Sequence, residues 1–278
     1  MWNRRLLSAI RPPIPKAGSA NVTRTEFALA LCSLLPLCAQ DPAAALEHAR
    51  AVNLERAASM PNFVVDETAI RYHSPHTDPP KWKQFDKIEM ELIVQGAGWG
   101  QRQNVRREGK PWKKPDFSDF NWGEHFGYEL TPLFDSKCHT IIEFEGREQT
   151  NGRQMLAYRF RTPPDSCFGF FTIVSGFFSR KNFNPERTSQ FVIDIANGGV
   201  ITSVVEAKEY PKGFGADPWK SVSTWDYVKI GDTSHLLPVS AEVFGGFTKG
   251  DLWHVVIQYK NHRHFESATN ISFGPEAR

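Results

Sequence analysis

Apolar side chains at every second position are the strongest constraint on how this chain can fold. In the segment Phe85 to Gln95 they are Ile88, Met90, Leu92 and Val94. Successive side chains of a β-strand point to opposite faces, so this spacing predicts a strand with one buried face. Most of the chain after residue 62 has this pattern, which predicts a mainly β structure.

Two-residue turns separate these segments. Asn151-Gly152 and Asn197-Gly198 are typical of β-hairpins, and Gly231-Asp232 is a weaker signal of the same kind. Consecutive hairpins predict an antiparallel meander. The expected strands are Phe63 to Tyr72, Phe85 to Gln95, His139 to Glu148, Arg153 to Thr162, Phe168 to Phe178, Gln190 to Ala196, Val200 to Glu209, Ser221 to Ile230, Leu236 to Phe247 and Leu252 to Phe273.

Two segments predict helices. The first runs from Asp41, a good N-cap followed by a proline, to Pro61. The second is Asn121 to Asp135, with apolar residues on one side. A sheet of this many strands must curl or close. The expected fold class is therefore α+β: a large curved antiparallel β-sheet, a half-barrel meander, with helices packed on the concave side.

The first 39 residues predict a leader. Basic residues precede the short apolar run Phe27 to Ala39, which is too short to cross a bilayer and is typical of a secretory signal. Residues 40–278 then form a single exported domain, periplasmic or extracellular. Two variants of the leader stay open: Asn3 to Ser8 resembles a twin-arginine signal, and Leu35 to Cys38 resembles a lipoprotein cleavage box with Cys38 lipidated.

Charge and cysteine usage agree with export. The leader holds five basic residues and one acid, so the formal total of +2 leaves the domain near −2. No nucleic-acid partner is therefore expected. Cys138 and Cys167 are the two cysteines of the domain, and a hairpin at Asn151-Gly152 would bring them close together. We expect a disulfide between them in an oxidising compartment.

The histidines of "YKNHRHF", Tyr259 to Phe265, are the first candidate for chemistry. Period two places Trp253, Val255, Ile257 and Tyr259 on an apolar face. The opposite face carries His262 and His264 together with Lys260, and a neighbouring cation disfavours metal binding. Solvent-facing histidines are the expectation, and a zinc or iron site completed by other histidines is the alternative. No cofactor, metal or catalytic residue is predicted, because no catalytic motif occurs.

Two other segments are unusual. Gln101 to Lys114 predicts either a solvated hairpin or a contact with an anionic membrane surface through its six basic residues, Arg102, Arg106, Arg107, Lys110, Lys113 and Lys114. Cys167 to Phe178 is apolar on both faces. It is either covered on both sides or lines an apolar cavity, to which Phe170 and Val174 would then contribute.

Five motifs resemble a known group of proteins. They are "NLERAASMPNF", "GEHFGYELTPLF", "FEGREQTNGRQMLAYRF", "HLLPVSAEV" and "YKNHRHFESATNISF". With the curved meander they resemble the LolA/LolB-like lipoprotein-carrier half-barrels, and most of all uncharacterised exported bacterial proteins of that type. The resemblance implies a concave apolar sheet face under helices, which in the carriers holds acyl chains.

The expected function is non-enzymatic binding of a hydrophobic or lipid-like ligand at the cell envelope by a monomer. The expected cavity residues are Ile88, Met90, Leu92, Val94, Phe170, Val174, Trp253, Val255, Ile257 and Tyr259. A scaffold or protein-binding module with a filled core is the alternative. A hydrolase ranks third.

Overall fold

The computed structural model describes residues 41–96, 100–115, 130–150, 152–164, 167, 171–175, 179–207, 209–210, 217–247 and 250–265. The predicted leader lies outside these residues. The first described element is helix α1, Pro42–Ala58. The Asp41 side chain accepts a hydrogen bond from the Ala43 N–H at 3.1 Å, so the predicted N-cap is confirmed.

Thirteen strands and a second helix follow among the described residues. The short helix α2, Thr131–Phe134, lies between β4 and β5 and is the described end of the predicted second helix, whose residues 121–129 are outside the described part. The strands β1 to β13 are, in order, Phe63–Ser74, Lys83–Val94, Gln101–Arg107, Lys110–Pro111, Ile141–Thr150, Arg153–Thr162, Phe171–Ser175, Ser179–Phe183, Arg187–Asp194, Val200–Ala207, Trp219–Ile230, Thr233–Gly246 and Leu252–His264.

Eleven of these strands form one antiparallel sheet, which confirms the expected fold class. Its order is β4-β3-β2-β1-β13-β12-β11-β10-β9-β6-β5. Neighbours in the sheet are mostly neighbours in sequence, as a meander requires. There are two exceptions, where β1 pairs with β13 and where β6 pairs with β9. The first and last described strands therefore meet inside the sheet and not at its edges.

One predicted strand was misplaced. The segment Phe168 to Phe178 was expected in the main sheet, but its described part, β7, pairs only with β8 in a separate two-stranded sheet. The main sheet passes directly from β6 to β9. This arrangement explains why the segment lacks the alternation of the other strands: it does not divide an apolar face of the main sheet from solvent.

A continuous row of paired residues defines one face of the main sheet. Directly paired residues of an antiparallel ladder point to the same side. The row crosses eight strands as Tyr158, Phe191, Ser203, Ser223, Ala241, Ile257, Ala69 and Ile88. We call the face that carries this row the inner face. It changes along the row from aromatic, through serine, to aliphatic.

Helix α1 packs on the aromatic end of the inner face. Ala45 and Ala49 are buried there in one cluster with Phe191 and Trp225. The Tyr158 hydroxyl donates to the Pro42 carbonyl oxygen at 2.6 Å. Burial raises the pKa of Tyr158 to about 12, so its hydroxyl stays protonated and remains a donor. The predicted contact between a helix and the concave side is present.

The turn after β9 fixes the middle of α1. The Asn53 side chain donates to the Gly198 carbonyl oxygen at 2.9 Å across the contact. Gly198 has a φ of +70°, and a Cβ on it would lie 2.9 Å from the His48 ring. The predicted two-residue turn at Asn197-Gly198 was wrong in length, because the pairing of β9 with β10 ends at Ile193 and Val200. Gly198 is still required for two reasons, its backbone conformation and the close approach of the helix.

The predicted disulfide is present. Cys138 and Cys167 are joined with their Cα atoms 5.3 Å apart, and the bond closes a loop of 29 residues in sequence. The register predicted from Asn151-Gly152 is also correct at the turn, where Thr150 pairs with Arg153. A bulge after Phe144 shifts the pairing by one residue before the strands reach the cysteines.

Candidate functional site

The half of the inner face built by β1, β2, β12 and β13 is almost entirely apolar. Ala69 pairs with Ile88 on one side and with Ile257 on the other, and Ile257 pairs with Ala241. We call this region the apolar half. Its buried side chains are Phe63, Val65, Ala69, Ile88, Met90, Leu92, Val94, Leu237, Ala241, Val243, Val255, Ile257 and Tyr259.

Tryptophans surround the apolar half. Trp112, Trp219 and Trp253 are each partly buried and pack against it. They come from β11, from β13 and from the residue that follows β4. Both described helices pack at the aromatic end of the inner face, so within the described chain no helix belongs to the apolar half. The aromatic rings are therefore its described border.

The structure brings together eight of the ten residues that we expected to line a cavity. Ile88, Met90, Leu92 and Val94 of β2 lie on the inner face, as do Trp253, Val255, Ile257 and Tyr259 of β13. Phe170 and the side chain of Val174 fall outside the described residues. The shared orientation follows from the period-two spacing, and the role of these residues in binding a ligand stays a prediction.

A buried glutamate interrupts the apolar half. Glu67 of β1 is 1% exposed and pairs across the sheet with Tyr259 and with Met90. Our sequence analysis missed it, although the alternation of Phe63, Val65, Glu67 and Ala69 already placed it on the buried side. A carboxyl at this depth needs polar neighbours, because burying an unsatisfied charge is costly.

A charged cluster closes one end of the apolar half. Asp86 is 2% exposed and accepts hydrogen bonds from Arg71 at 2.7 and 2.6 Å. Arg107 reaches the same carboxylate at 2.7 Å. Both guanidinium groups also lie over the exposed ring of Phe85, at 5.2 and 5.3 Å. Two cations on one buried acid leave this end of the face with a formal charge of +1.

The predicted position of His262 was wrong. Asn261 has a φ of +55°, and the pairing of β1 with β13 shifts by one residue between Val64 and Asp66. This bulge moves His262 from the face of Lys260 to that of Phe63, whose ring centroid lies 5.8 Å away. Burial lowers the pKa of His262 to about 4, although a hydrogen bond to the Pro238 backbone and the charge of Asp66 oppose the shift.

The basic segment Gln101 to Lys114 forms the predicted hairpin, β3 and β4, at one edge of the sheet. Its cations are not equivalent. Arg107 pairs with the buried Asp86, and Arg106 donates to the Gly109 carbonyl oxygen at 3.0 Å. Arg102 is partly buried, whereas Lys110, Lys113 and Lys114 are exposed. An anionic surface would therefore meet mainly the lysines.

The described residues contain no group of three or more histidine, cysteine, aspartate or glutamate side chains that could hold a metal ion. Across the same part of the chain, no helix has the length and apolar character needed to span a membrane.

Comparisons with known proteins give similarity only at the level of structure. No protein-family model matches the chain, and no curated protein matches it. A LolA superfamily protein from Nitrosomonas europaea is similar with a TM-score of 0.34 and 8% identity, over 82% of this chain and 95% of that one. A DUF1329 family protein from Desulfovibrio piger gives 0.36 and 11%, over 84% and 96%.

A third structure, described as an outer membrane lipoprotein-sorting protein domain from Vibrio parahaemolyticus, gives a TM-score of 0.35 and 11% identity, over 80% of this chain and 92% of that one. Two of the three names belong to the fold group that the sequence resembles. At these scores none of their residues corresponds to a defined position in this chain.

Proposed function

We propose that this protein is an exported, non-enzymatic binding protein for a hydrophobic or lipid-like ligand at the cell envelope. The observation that carries the proposal is the apolar half of the inner face. Four adjacent strands direct aliphatic side chains to one side, and no described helix packs on them. Elsewhere on the same face, α1 performs that packing role.

The energetics suit an acyl chain. Removing apolar surface from water is worth about 25 cal/mol per Å², whatever the partner, so a flexible hydrocarbon can bind such a surface without specific contacts. The tryptophans at the border are well suited to the site, because their rings combine a large apolar body with one polar N–H group. Trp112 connects this border to the hairpin that carries the exposed lysines.

The entry of a ligand requires the site to open. Val65, Ile88, Leu92 and Ile257 are each 0% exposed, so they are shielded from water in this structure. The same observation favours the second candidate function, a scaffold or protein-binding module whose core is permanently filled. The two candidates differ in a measurable property: the first protein takes up lipid and the second does not.

The disulfide supports the proposed compartment. Bonds between cysteines persist in oxidising environments such as the periplasm and the extracellular space, and are rare in the cytosol. The bond between Cys138 and Cys167 is therefore in keeping with export. The leader and its cleavage after residue 39 remain predictions, and N-terminal sequencing of the protein recovered from cells would test them.

Native mass spectrometry of protein purified from the cell envelope tests the proposal. The carrier function predicts an added mass of a few hundred daltons that disappears on denaturation. Protein stripped of lipid should then increase the fluorescence of an environment-sensitive fatty-acid probe. Folded protein that carries no lipid and leaves the probe unchanged would instead support the filled scaffold.

Two substitutions on neighbouring positions of β13 refine the test. Ile257→Asn places an amide on the inner face, and Val256→Asn places the same group on the opposite face. We expect Ile257→Asn to lose most of the probe response, whereas Val256→Asn keeps it. Circular dichroism checks that both variants fold. Equal responses would show that the probe binds somewhere other than the apolar half.

A further inference from the structure

A partly buried cation, Arg56, lies where α1 ends on the inner face. The side of the helix that carries Ala45, Ala49 and Asn53 continues, three residues further on, to Arg56 in the last turn. The guanidinium carbon of Arg56 lies 5.2 Å from the centroid of the Trp225 ring. Trp225 is 1% exposed and belongs to β11, two residues along the inner face from Ser223.

Both side chains have donors without an acceptor. The Nη1 atom of Arg56 and the Nε1 atom of Trp225 are buried and make no hydrogen bond. Neither group can act as an acceptor, so each needs an oxygen from elsewhere. Within the described chain no carboxylate pairs with Arg56. Burial lowers the pKa of Arg56 to about 10, and the Tyr227 phenol opposes that shift.

Serine hydroxyls continue this polar region along the inner face. Ser203 pairs with Ser223. In the next row, Val205 pairs with Ser221 on one side and with Ser189 on the other. Ser189, Ser203 and Ser221 are each at most 3% exposed, and their hydroxyl oxygens are buried with no hydrogen bond. Three neighbouring strands therefore present unsatisfied hydroxyls on one face.

Such a cluster destabilises the protein unless something binds to it. Each buried, unsatisfied polar group costs about 1–3 kcal/mol, and most buried polar groups in folded proteins are satisfied. Alanine would fit at each serine position without that cost. The five unsatisfied groups are distributed over three strands of the inner face and the end of α1, and all of them can donate, so they are suited to the acceptor oxygens of an external ligand.

The geometry points to a head-group site: Arg56, Trp225 and the hydroxyls of Ser189, Ser203 and Ser221 bind the anionic oxygens, carboxylate or phosphate, of an amphiphilic ligand. This inference rests on the proposed function and specifies its ligand class. The hydrocarbon tail of the ligand lies in the apolar half, which Ser223 adjoins directly through its pairing with Ala241. Met60, which follows α1, packs in one cluster with Phe63 and the rest of the apolar half, so the end of the helix lies near both regions.

Four ligands of related chemistry test the inference on the unmodified, lipid-stripped protein. They are a long-chain fatty acid, its methyl ester, acetate and a lysophosphatidic acid, which is the phosphate form. We expect the two anionic lipids to bind at least about tenfold more tightly than the ester, because a charged hydrogen bond is worth roughly that ratio. Acetate should not compete, since it lacks the tail.

The outcomes of these binding measurements distinguish the head-group site from the proposed function. Equal affinity for acid and ester would overturn the head-group site and leave the proposed function in place. Failure of both acid and ester to bind would overturn the proposed function itself. Competition by acetate at the concentration of the fatty acid would identify a site for small anions and would also overturn the inference.

Single substitutions then test whether Arg56 belongs to the head-group site. Arg56→Met should reduce the affinity for the fatty acid to that for the ester, without changing the affinity for the ester. Arg263→Met is the matched control, because Arg263 makes its ion pairs with Asp66 and Glu91 on partly exposed positions. Preference for the acid that survives in Arg56→Met would exclude Arg56 from the site.

Ser221→Ala distinguishes a role of the hydroxyl in ligand binding from a role in stabilising the fold. Removing an unsatisfied hydroxyl should raise the melting temperature of the ligand-free protein and weaken binding of the fatty acid. A lower melting temperature with unchanged affinity would mean that the hydroxyl supports the fold and does not contact the ligand.

Discussion

His262 lies against Phe63, with 5.8 Å between the ring centroids. The cause is a bulge at Asn261, which changes the face of the sheet to which the following side chains of β13 point. This contact leaves the imidazole partly buried, and burial lowers its pKa to about 4 from an ordinary value of about 6.5. A lowered pKa means that the folded protein binds the proton less readily than the unfolded chain. Stability is therefore full above about pH 6.5 and decreases as the pH falls towards 4.

We expect this histidine to make the free energy of unfolding sensitive to mild acid. After a discount for the partial exposure of the ring, the loss attributable to His262 between pH 7 and pH 4 is about 1–2 kcal/mol. Urea denaturation between pH 7 and pH 4 should show a smaller decrease in the free energy of unfolding for His262→Gln than for the unmodified protein. His264→Gln, in which the changed residue is exposed, should follow the unmodified protein. Identical pH profiles for all three proteins would contradict the buried position of His262.

Asp86 holds two arginines at the end of the apolar half, and its removal should be strongly destabilising. Asp86→Asn leaves Arg71 and Arg107 without their shared carboxylate, which costs about 3–5 kcal/mol when one partner of a buried pair is lost. Glu89→Gln is the control, because its ion pair with Lys87 is exposed and is worth about 0–1 kcal/mol. Equal stabilities of the two variants in urea would contradict the buried cluster.

The disulfide should contribute to stability through the unfolded state. Closing the loop between Cys138 and Cys167 is worth about 3–4 kcal/mol in the chain-entropy model. The double variant Cys138→Ala/Cys167→Ala should lose this amount, and a reductant should lower the melting temperature of the unmodified protein but not that of the variant. Intact mass after alkylation of the unreduced, denatured domain should reveal no free thiol at these positions.

The exposed lysines of the β3–β4 hairpin should bind anionic vesicles. Replacing Lys110, Lys113 and Lys114 with glutamine should remove most of the binding to phosphatidylserine vesicles at low salt, since each basic residue near such a surface contributes about 1 kcal/mol. Replacing the exposed lysines 137, 229 and 260 changes the net charge equally and should have little effect. Equal losses in the two triple variants would mean that only net charge matters.

Local patterns predicted much of the fold. The strand from Arg153 to Thr162 has the bounds expected from the sequence, and Asn151-Gly152 sets the register of its hairpin. Alternation likewise predicted which side of β2 and of β13 is buried. These features depend on contacts close in sequence, where turn type and period two leave few alternatives.

The remaining parts depend on long-range contacts or on single backbone angles. His262 changed face because one residue, Asn261, adopts a left-handed conformation, and nothing in the alternation reveals a bulge. The serines of the head-group site are ordinary in sequence, and only the pairing of β9, β10 and β11 brings them together. The alternation of β1 places Glu67 on the buried face, but a charged side chain is ordinarily expected to be exposed.

The pairing of β1 with β13 has a consequence for the order of folding. Asp66 and Asn261 are 195 residues apart in sequence, and their side chains are joined by a hydrogen bond of 2.8 Å. The apolar half needs both strands, so it cannot form until nearly the whole chain has left the ribosome. Contacts of such large separation are slow to form, and a chain that completes its core last stays extended for longer. That delay agrees with the proposed export, in which the chain would cross a membrane before it folds.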